Sequence, residues 1–282
     1  MKLTQFCKDN APALGICTDR GIVDAAAEGR RRGTPAPATM LEAIRGGEEA
    51  LRLLEGLSDG AVVEDPVLAP AVTGMDKILC IGLNYRRHIA ECGKAAPAAP
   101  TLFNKFRSAL AAHGQAVFLP REYREYDYEG ELVAVIGKAA RNVSPEDAAS
   151  YVFGYTCGND LSTRDLQFAR SEQWLLSKTF DGFAPLGPWV AVGLDGRDLA
   201  LTTTVNGELR QSARTSDLLF DVAHIISDLS RHFTLLPGDV IFTGTPSGVM
   251  QGYPADRKRW LQPGDRVDVT IEGIGTLTNT FI

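Results

Sequence analysis

Apolar residues in the first seventy positions come in short pulses. Lys2–Phe6 and Ala13–Thr18 read as β-like pieces, and Gly21–Asp24 as a further strand. A Gly/Pro/Thr stretch follows at Arg32–Pro37. Thr39-Met-Leu-Glu42 then has the form of a capping box, in which a hydroxyl and a carboxylate satisfy the unpaired amides that open a helix. The spacing predicts a helix through about Glu55, with Gly56 at its C-terminal cap. Leu41, Ile44, Leu51 and Leu54 give it a partial apolar stripe, which Gly46-Gly47 interrupts. Pro66 and Pro70 mark a linker, so residues 1–70 are expected to form a small N-terminal accessory domain.

From residue 76 to 282 the strand signals become denser. Lys77–Leu83, Glu131–Gly137 and Tyr151–Asn159 read as strands. Ser144-Pro-Glu-Asp147 combines an N-cap, a proline at the first helical position and acids in the first turn. Ser162-Thr-Arg-Asp165 reads as another capping box. A strong helix is expected from Ser216, because Leu218, Leu219, Val222, Ile225, Ile226 and Leu229 recur at close to 3.6 residues. Pro-Gly-Asp turns at 237–239 and 263–265 each precede an apolar strand. Many short strands with few helices predict a β-rich α+β domain.

Composition narrows the function classes. The chain has 282 residues, 44% hydrophobic and 23% charged, which suits a folded globular protein. A net charge of −6, from 29 Lys+Arg against 35 Asp+Glu, argues against nucleic acid or an anionic membrane as partner. Five cysteines with no close pair read as reduced thiols, and no signal peptide or membrane-length apolar run is expected. A cytoplasmic protein is the expectation. Neither a P-loop nor a dinucleotide-binding glycine motif occurs. In Gly244-Thr-Pro-Ser-Gly248 the serine stands one place too late for a nucleophile elbow.

Some of the acids form a pattern. Glu129 and Glu131, two apart at the entrance of a strand, present both carboxylates on one face. They are either a solvated strand entrance or a pair held together by a cation. Asp160, at the end of the strand Tyr151–Asn159, adds a third oxygen donor. An all-carboxylate set favours Mg²⁺ or Mn²⁺, or Ca²⁺, over Zn²⁺. His88 and Glu91 are three apart, so on a helix the acid would orient the imidazole as a general base; an ordinary surface pair has the same spacing. Lys178 in a Gly/aromatic loop is either solvated or placed to stabilise an oxyanion. Arg164 and Gln167 suit either a substrate carboxylate or a capping turn. Thr245 lies in a tight turn able to bind an anion, or in an ordinary one. His224 is expected to pack inside its helix near apolar neighbours, with His113 in a loop and His232 at a helix end.

Taken in order, these pieces resemble the fumarylacetoacetate hydrolase family. The matching segments are Ile81-Gly-Leu-Asn-Tyr-x-x-His88-x-x-Glu91, Asp127-Tyr-Glu129-x-Glu131 and Gly154-Tyr-x-x-x-Asn-Asp160-x-Ser-x-Arg164-Asp-x-Gln167. Lys178-x-Phe180-Asp and Leu236-Pro-Gly-Asp239-x-Ile-x-Thr-Gly-Thr245-Pro-x-Gly248 complete them. The resemblance implies a mixed β-sandwich or roll as catalytic domain over 76–282. It also implies a divalent metal on Glu129, Glu131 and Asp160, and a water-activating pair in His88 and Glu91 on a lid-like segment. By the same resemblance Lys178 stabilises negative charge, while Tyr85, Arg164, Gln167 and Thr245 contact substrate. The eukaryotic hydrolase carries a further aspartate ligand; here that stretch reads Gly-Leu-Asn84-Tyr85, as in the shorter bacterial branch.

The expected activity is metal-dependent hydrolysis of a C–C bond in a 2,4-diketo acid of the acylpyruvate type, in aromatic or sugar-acid catabolism. Pyruvate and a carboxylic acid would be the products. Decarboxylation of oxaloacetate-like acids, or isomerisation and tautomerisation at the same site, is the alternative. A non-catalytic Ca²⁺ module is the third possibility. A homodimer with a small keto-acid substrate is the expected working form.

Overall fold

The computed structural model describes residues 1–169 and 173–282. It is rich in strands, with few helices, as the α+β expectation requires. The main sheet runs in the spatial order Gly21–Asp24, Ala11–Thr18, Lys2–Lys8, Ala184–Val192, Val152–Asn159, Gly130–Ile136, Val240–Phe242, Ile78–Gly82, Thr101–Lys105. Its neighbours are antiparallel except Val240–Phe242 against Ile78–Gly82. A second sheet of five strands contains Ala200–Val205, Glu208–Arg214, Arg266–Ile271 and Gly275–Phe281.

Every residue of Gly130–Ile136 is buried. Leu132, Ala134 and Ile136 point into one apolar cluster, shared with Leu201, Val267 and Val269 of the second sheet and with Ile225, Ile226 and Leu229 of the helix Val222–His232. Val133 and Val135 point into the other, shared with Met40, Ile44 and Leu54 of the N-terminal helix. A strand covered on both faces needs a continuous apolar run, and its sequence has one. In Ala200–Val205, by contrast, buried positions alternate with half-buried ones.

The Thr39 capping box forms. Its hydroxyl oxygen accepts from Glu42 N at 3.2 Å, while the Glu42 carboxylate accepts from Ala38 N at 2.8 Å. The helix Met40–Gly56 bends at Gly47, whose φ of 54° and ψ of −140° are not helical. Ser144 caps Pro145–Ala148 as expected. Two helix starts differ from expectation. Ser162 lies in a two-residue strand, and its hydroxyl donates to Asp160 O at 3.0 Å instead of capping. The apolar helix begins at Val222, not Ser216, because the Asp221 carboxylate accepts from His224 N at 2.8 Å and Thr215–Asp217 forms a 3₁₀ turn.

Lys2–Lys8 pairs with Ala184–Val192, so the first strands extend the same sheet that carries Gly130–Ile136. Among the described residues no helix is long and apolar enough to cross a membrane.

Candidate metal and general-base site

Strand register assembles the acids. Glu131 lies opposite Gly158 and Gly130 opposite Asn159, so the start of one strand meets the end of the next. Asp160 N donates to Glu129 O at 2.8 Å, which locks the two ends together. Glu129, Glu131 and Asp160 are all buried, each with an oxygen within 4.8 Å of the others'.

The three acids sit in different electrostatic settings. Burial opposes ionisation of Glu129, but Lys178 Nζ at 2.7 Å and Arg164 Nη2 at 2.5 Å hold its carboxyl below the usual carboxylate range. Among the described residues no cation is in contact with Glu131. Burial, and then the charges of Asp160 and Glu129, push it well above the usual range, against a hydrogen bond from Gly244 N at 2.8 Å and the more distant charge of Lys178. A buried acid forced towards its neutral form by two neighbouring acids marks a place where positive charge is missing. An all-oxygen set supplying three ligands fits a hard divalent cation such as Mg²⁺ or Mn²⁺.

Two buried lysines frame the acids. Lys178 Nζ donates to Glu129 and, at 2.9 Å, to Asp160. Lys105 Nζ lies 2.6 Å from Asp160 Oδ1 and donates to the carbonyls of Leu161, Lys178 and Phe183. Arg164 bridges Glu129, Asp127 and Gln167. The Asp127 carboxylate also accepts from Met250 N and Gln251 N, tying the loop after Gly248 to the site.

His88 lies in the short helix Arg86–Glu91, where the three-residue spacing brings its Nδ1 to 3.0 Å from Glu91 Oε2. The other Glu91 oxygen accepts from Gly248 N at 3.0 Å. Gly248 has φ of +104°, and a Cβ there would stand 2.0 Å from Arg210 O, so this anchor requires glycine. Burial works against the imidazolium, yet the contacts with Cys92 and Glu91 prevail and raise His88 to about 9.

One cavity of about 300 Å³ is lined by His88, Glu91, the three acids, Arg164, Gln167, Lys178 and Thr245. Ile81, Leu83, Phe103, Phe168 and Trp174 supply an apolar wall. Thr245 Oγ1 donates to Gly130 O and accepts from Gln211, so its hydroxyl also fastens the acidic strand.

Tyr85 stands apart. It is buried outside the cavity lining, its backbone bridged to that of Leu218, and among the described residues its hydroxyl has no hydrogen-bond partner. His224 is also not where expected. It is exposed, stacked on Phe220 with ring centroids 4.9 Å apart, because its helix starts at Val222 and turns this position outward. His113 accepts from Thr278 N, and His232 ends its helix. Sequence reasoning missed Lys105 and Gln211. Asp127 has one signal in the sequence, the Asp-x-Glu-x-Glu alternation, which does not specify its role.

Residues 77–282 match the family model described as "Fumarylacetoacetate (FAA) hydrolase C-terminal". An oxaloacetate tautomerase of Bacillus subtilis is 43% identical over 217 residues, covering 75% of this chain and 71% of that protein. A fumarylacetoacetate hydrolase structure from psychrophilic Exiguobacterium antarcticum matches with a TM-score of 0.85 and 35% identity, over 100% of this chain and 99% of that one. A maleylpyruvate hydrolase from Sphingobium sp. SYK-6, solved with manganese(II) and pyruvate, matches with a TM-score of 0.81 and 30% identity, over 100% and 99%.

Proposed function

This chain belongs to the fumarylacetoacetate hydrolase family, and from that premise we propose that it interconverts the keto and enol forms of a small 2-oxo acid of the oxaloacetate type. The observation that carries the reading is a carboxylate-oriented imidazole and a buried Glu-Glu-Asp cluster lining one cavity of about 300 Å³. Held by Glu129, Glu131 and Asp160, Mg²⁺ or Mn²⁺ would supply a Lewis acid for the 2-oxo and carboxylate oxygens.

The remaining work falls to the chain itself. Lys178 and Arg164 fix the Glu129 carboxylate from two sides, and Lys105 fixes Asp160. His88, oriented by Glu91, takes the proton from the carbon next to the 2-oxo group. The imidazolium so formed returns the proton to the 2-oxo oxygen to complete the enol, and the reverse transfers restore the ketone, so no atom is gained or lost. The apolar wall of Ile81, Leu83, Phe103 and Trp174 limits water at that carbon. The similarity to a tautomerase at 43% identity supports this order of preference.

Hydrolysis of a 2,4-diketo acid is the second reading. It is favoured by the likeness to a maleylpyruvate hydrolase solved with pyruvate. In that case His88–Glu91 activates water and Lys178 steadies the oxyanion. Tautomerisation ranks first because the Lys178 ammonium is already engaged by two carboxylates.

The test follows the ultraviolet absorbance of enol-oxaloacetate with purified Mg²⁺- or Mn²⁺-loaded protein. Faster enol loss without pyruvate release is expected, and His88→Ala should abolish it. Pyruvate formed from oxaloacetate would instead indicate decarboxylation; pyruvate formed from an acylpyruvate would favour the second reading. An enol decay equal to the protein-free rate overturns the proposal.

A further inference from the structure

Among the described residues, Lys94 is the cavity-lining cation engaged by no other group. Arg164 is engaged by Asp127 and Glu129, and Lys178 by Glu129 and Asp160. Among the described residues, Lys94 has no carboxylate, carbonyl or ring partner for its ammonium group, although it lines the same cavity. Its exposure places it towards the mouth, where Leu83, Phe168 and Trp174 are apolar.

Its backbone is not free to wander. Cys92 N donates to His88 O at 2.9 Å, Gly93 N to Ala90 O at 3.0 Å, and Lys94 N to Ile89 O at 3.1 Å. These bonds close the end of the helix that carries His88 and Glu91, so Lys94 moves with the general-base pair.

A 2-oxo acid whose first carboxylate and oxo oxygen occupy the acidic end directs the remainder of its chain towards the mouth. A second carboxylate arriving there meets Leu83, Phe168, Trp174 and the Glu91 carboxylate, with Lys94 as the cation left to pair with it. We propose that Lys94 receives that second carboxylate, and that the site therefore selects dicarboxylic over monocarboxylic 2-oxo acids. The inference rests on the 2-oxo-acid reading above and names the substrate class within it.

The experiment compares binding of oxaloacetate and pyruvate to the Mn²⁺-loaded full chain by tryptophan fluorescence, Trp174 being part of the cavity wall. The wild type should bind oxaloacetate at least about tenfold more tightly than pyruvate. Lys94→Gln should lose about that factor for oxaloacetate and stay within about twofold for pyruvate, and Lys94→Arg should recover most of the preference. Retained pyruvate binding shows that the variant is folded. A wild type without the preference, a Lys94→Gln variant that keeps it, or one that weakens both ligands equally overturns the proposal. The binding ratio does not depend on turnover. A protein that shows the Lys94-dependent ratio but does not accelerate enol decay removes the tautomerase reading alone.

Discussion

Glu91 is half-buried and works through His88, holding the ring with one oxygen while Gly248 N anchors the other. The Cys92 contact and, next to it, the hydrogen bond to Glu91 favour the imidazolium, so His88 must lose a proton before it can accept one from substrate. The rate at low substrate should therefore climb about tenfold per pH unit and level off near or below pH 9, since a cation on the neighbouring acids acts against the imidazolium. Glu91→Gln removes a group that raises His88, so the rising limb should move to lower pH while the maximum falls. A pH–rate profile of the Mg²⁺-loaded enzyme checks both points; a limb unmoved by Glu91→Gln would rule out the pairing as the source of basicity. At this scale the sequence is readable where partners are close along the chain. The Glu-x-Glu and His-x-x-Glu spacings are of that kind. Lys105, Gln211 and the role of Asp127 are not, because they depend on contacts such as Arg164 with Asp127, 37 residues away, and Met250 N with Asp127, 123 residues away.

At the scale of elements, the same short motif has two outcomes. Thr39-Met-Leu-Glu42 and Ser162-Thr-Arg-Asp165 both have the form of a capping box. The first opens its helix with no competing acceptor for its hydroxyl among the described residues; the second adjoins Asp160, and its hydroxyl is claimed by that residue's carbonyl. The site therefore overrides the local signal. Asp221 displaces Ser216 as a helix start for a related reason: Asn84, 136 residues earlier in the chain, accepts from Phe220 N and donates to Phe220 O, so both backbone groups of Phe220 are held outside the helix. Replacing a free cap costs helix stability and nothing else. Thr39→Ala should lower the unfolding free energy by about 1 kcal/mol, read from urea denaturation. Mn²⁺ affinity measured by calorimetry should stay within error of the wild type, and a loss there would mean that the N-terminal helix supports the acids.

For the whole molecule, the shared sheet makes a definite demand on unfolding. Lys2–Lys8 hydrogen-bonds to Ala184–Val192, which pairs with Val152–Asn159, the strand that leads to Asp160. Pro66 and Pro70 suggest a break in the chain, whereas this continuity was not legible, since strand pairing across some 190 residues leaves no local mark. With the sheet continuous, a cation that binds only the folded acids stabilises both segments together. At about a hundredfold excess over its dissociation constant it adds about 2.7 kcal/mol. For a chain of this size that raises the melting temperature by about 5 °C, in one transition. Glu131 sets the sign of the matching variant. Its folded carboxyl is raised above its unfolded value, so it favours folding only at low pH, and the metal-free chain loses that contribution as pH rises past the ordinary carboxylate range. Glu131→Gln removes this penalty while keeping an oxygen for Gly244 N. At neutral pH the metal-free variant should therefore melt no lower than the metal-free wild type, and Mn²⁺ should barely move it. Calorimetric scans of both proteins, with and without Mn²⁺, decide the point. Two separate transitions of which only one moves would show that the shared sheet does not couple the segments, and a variant still raised by Mn²⁺ as much as the wild type would remove Glu131 from the ligand set.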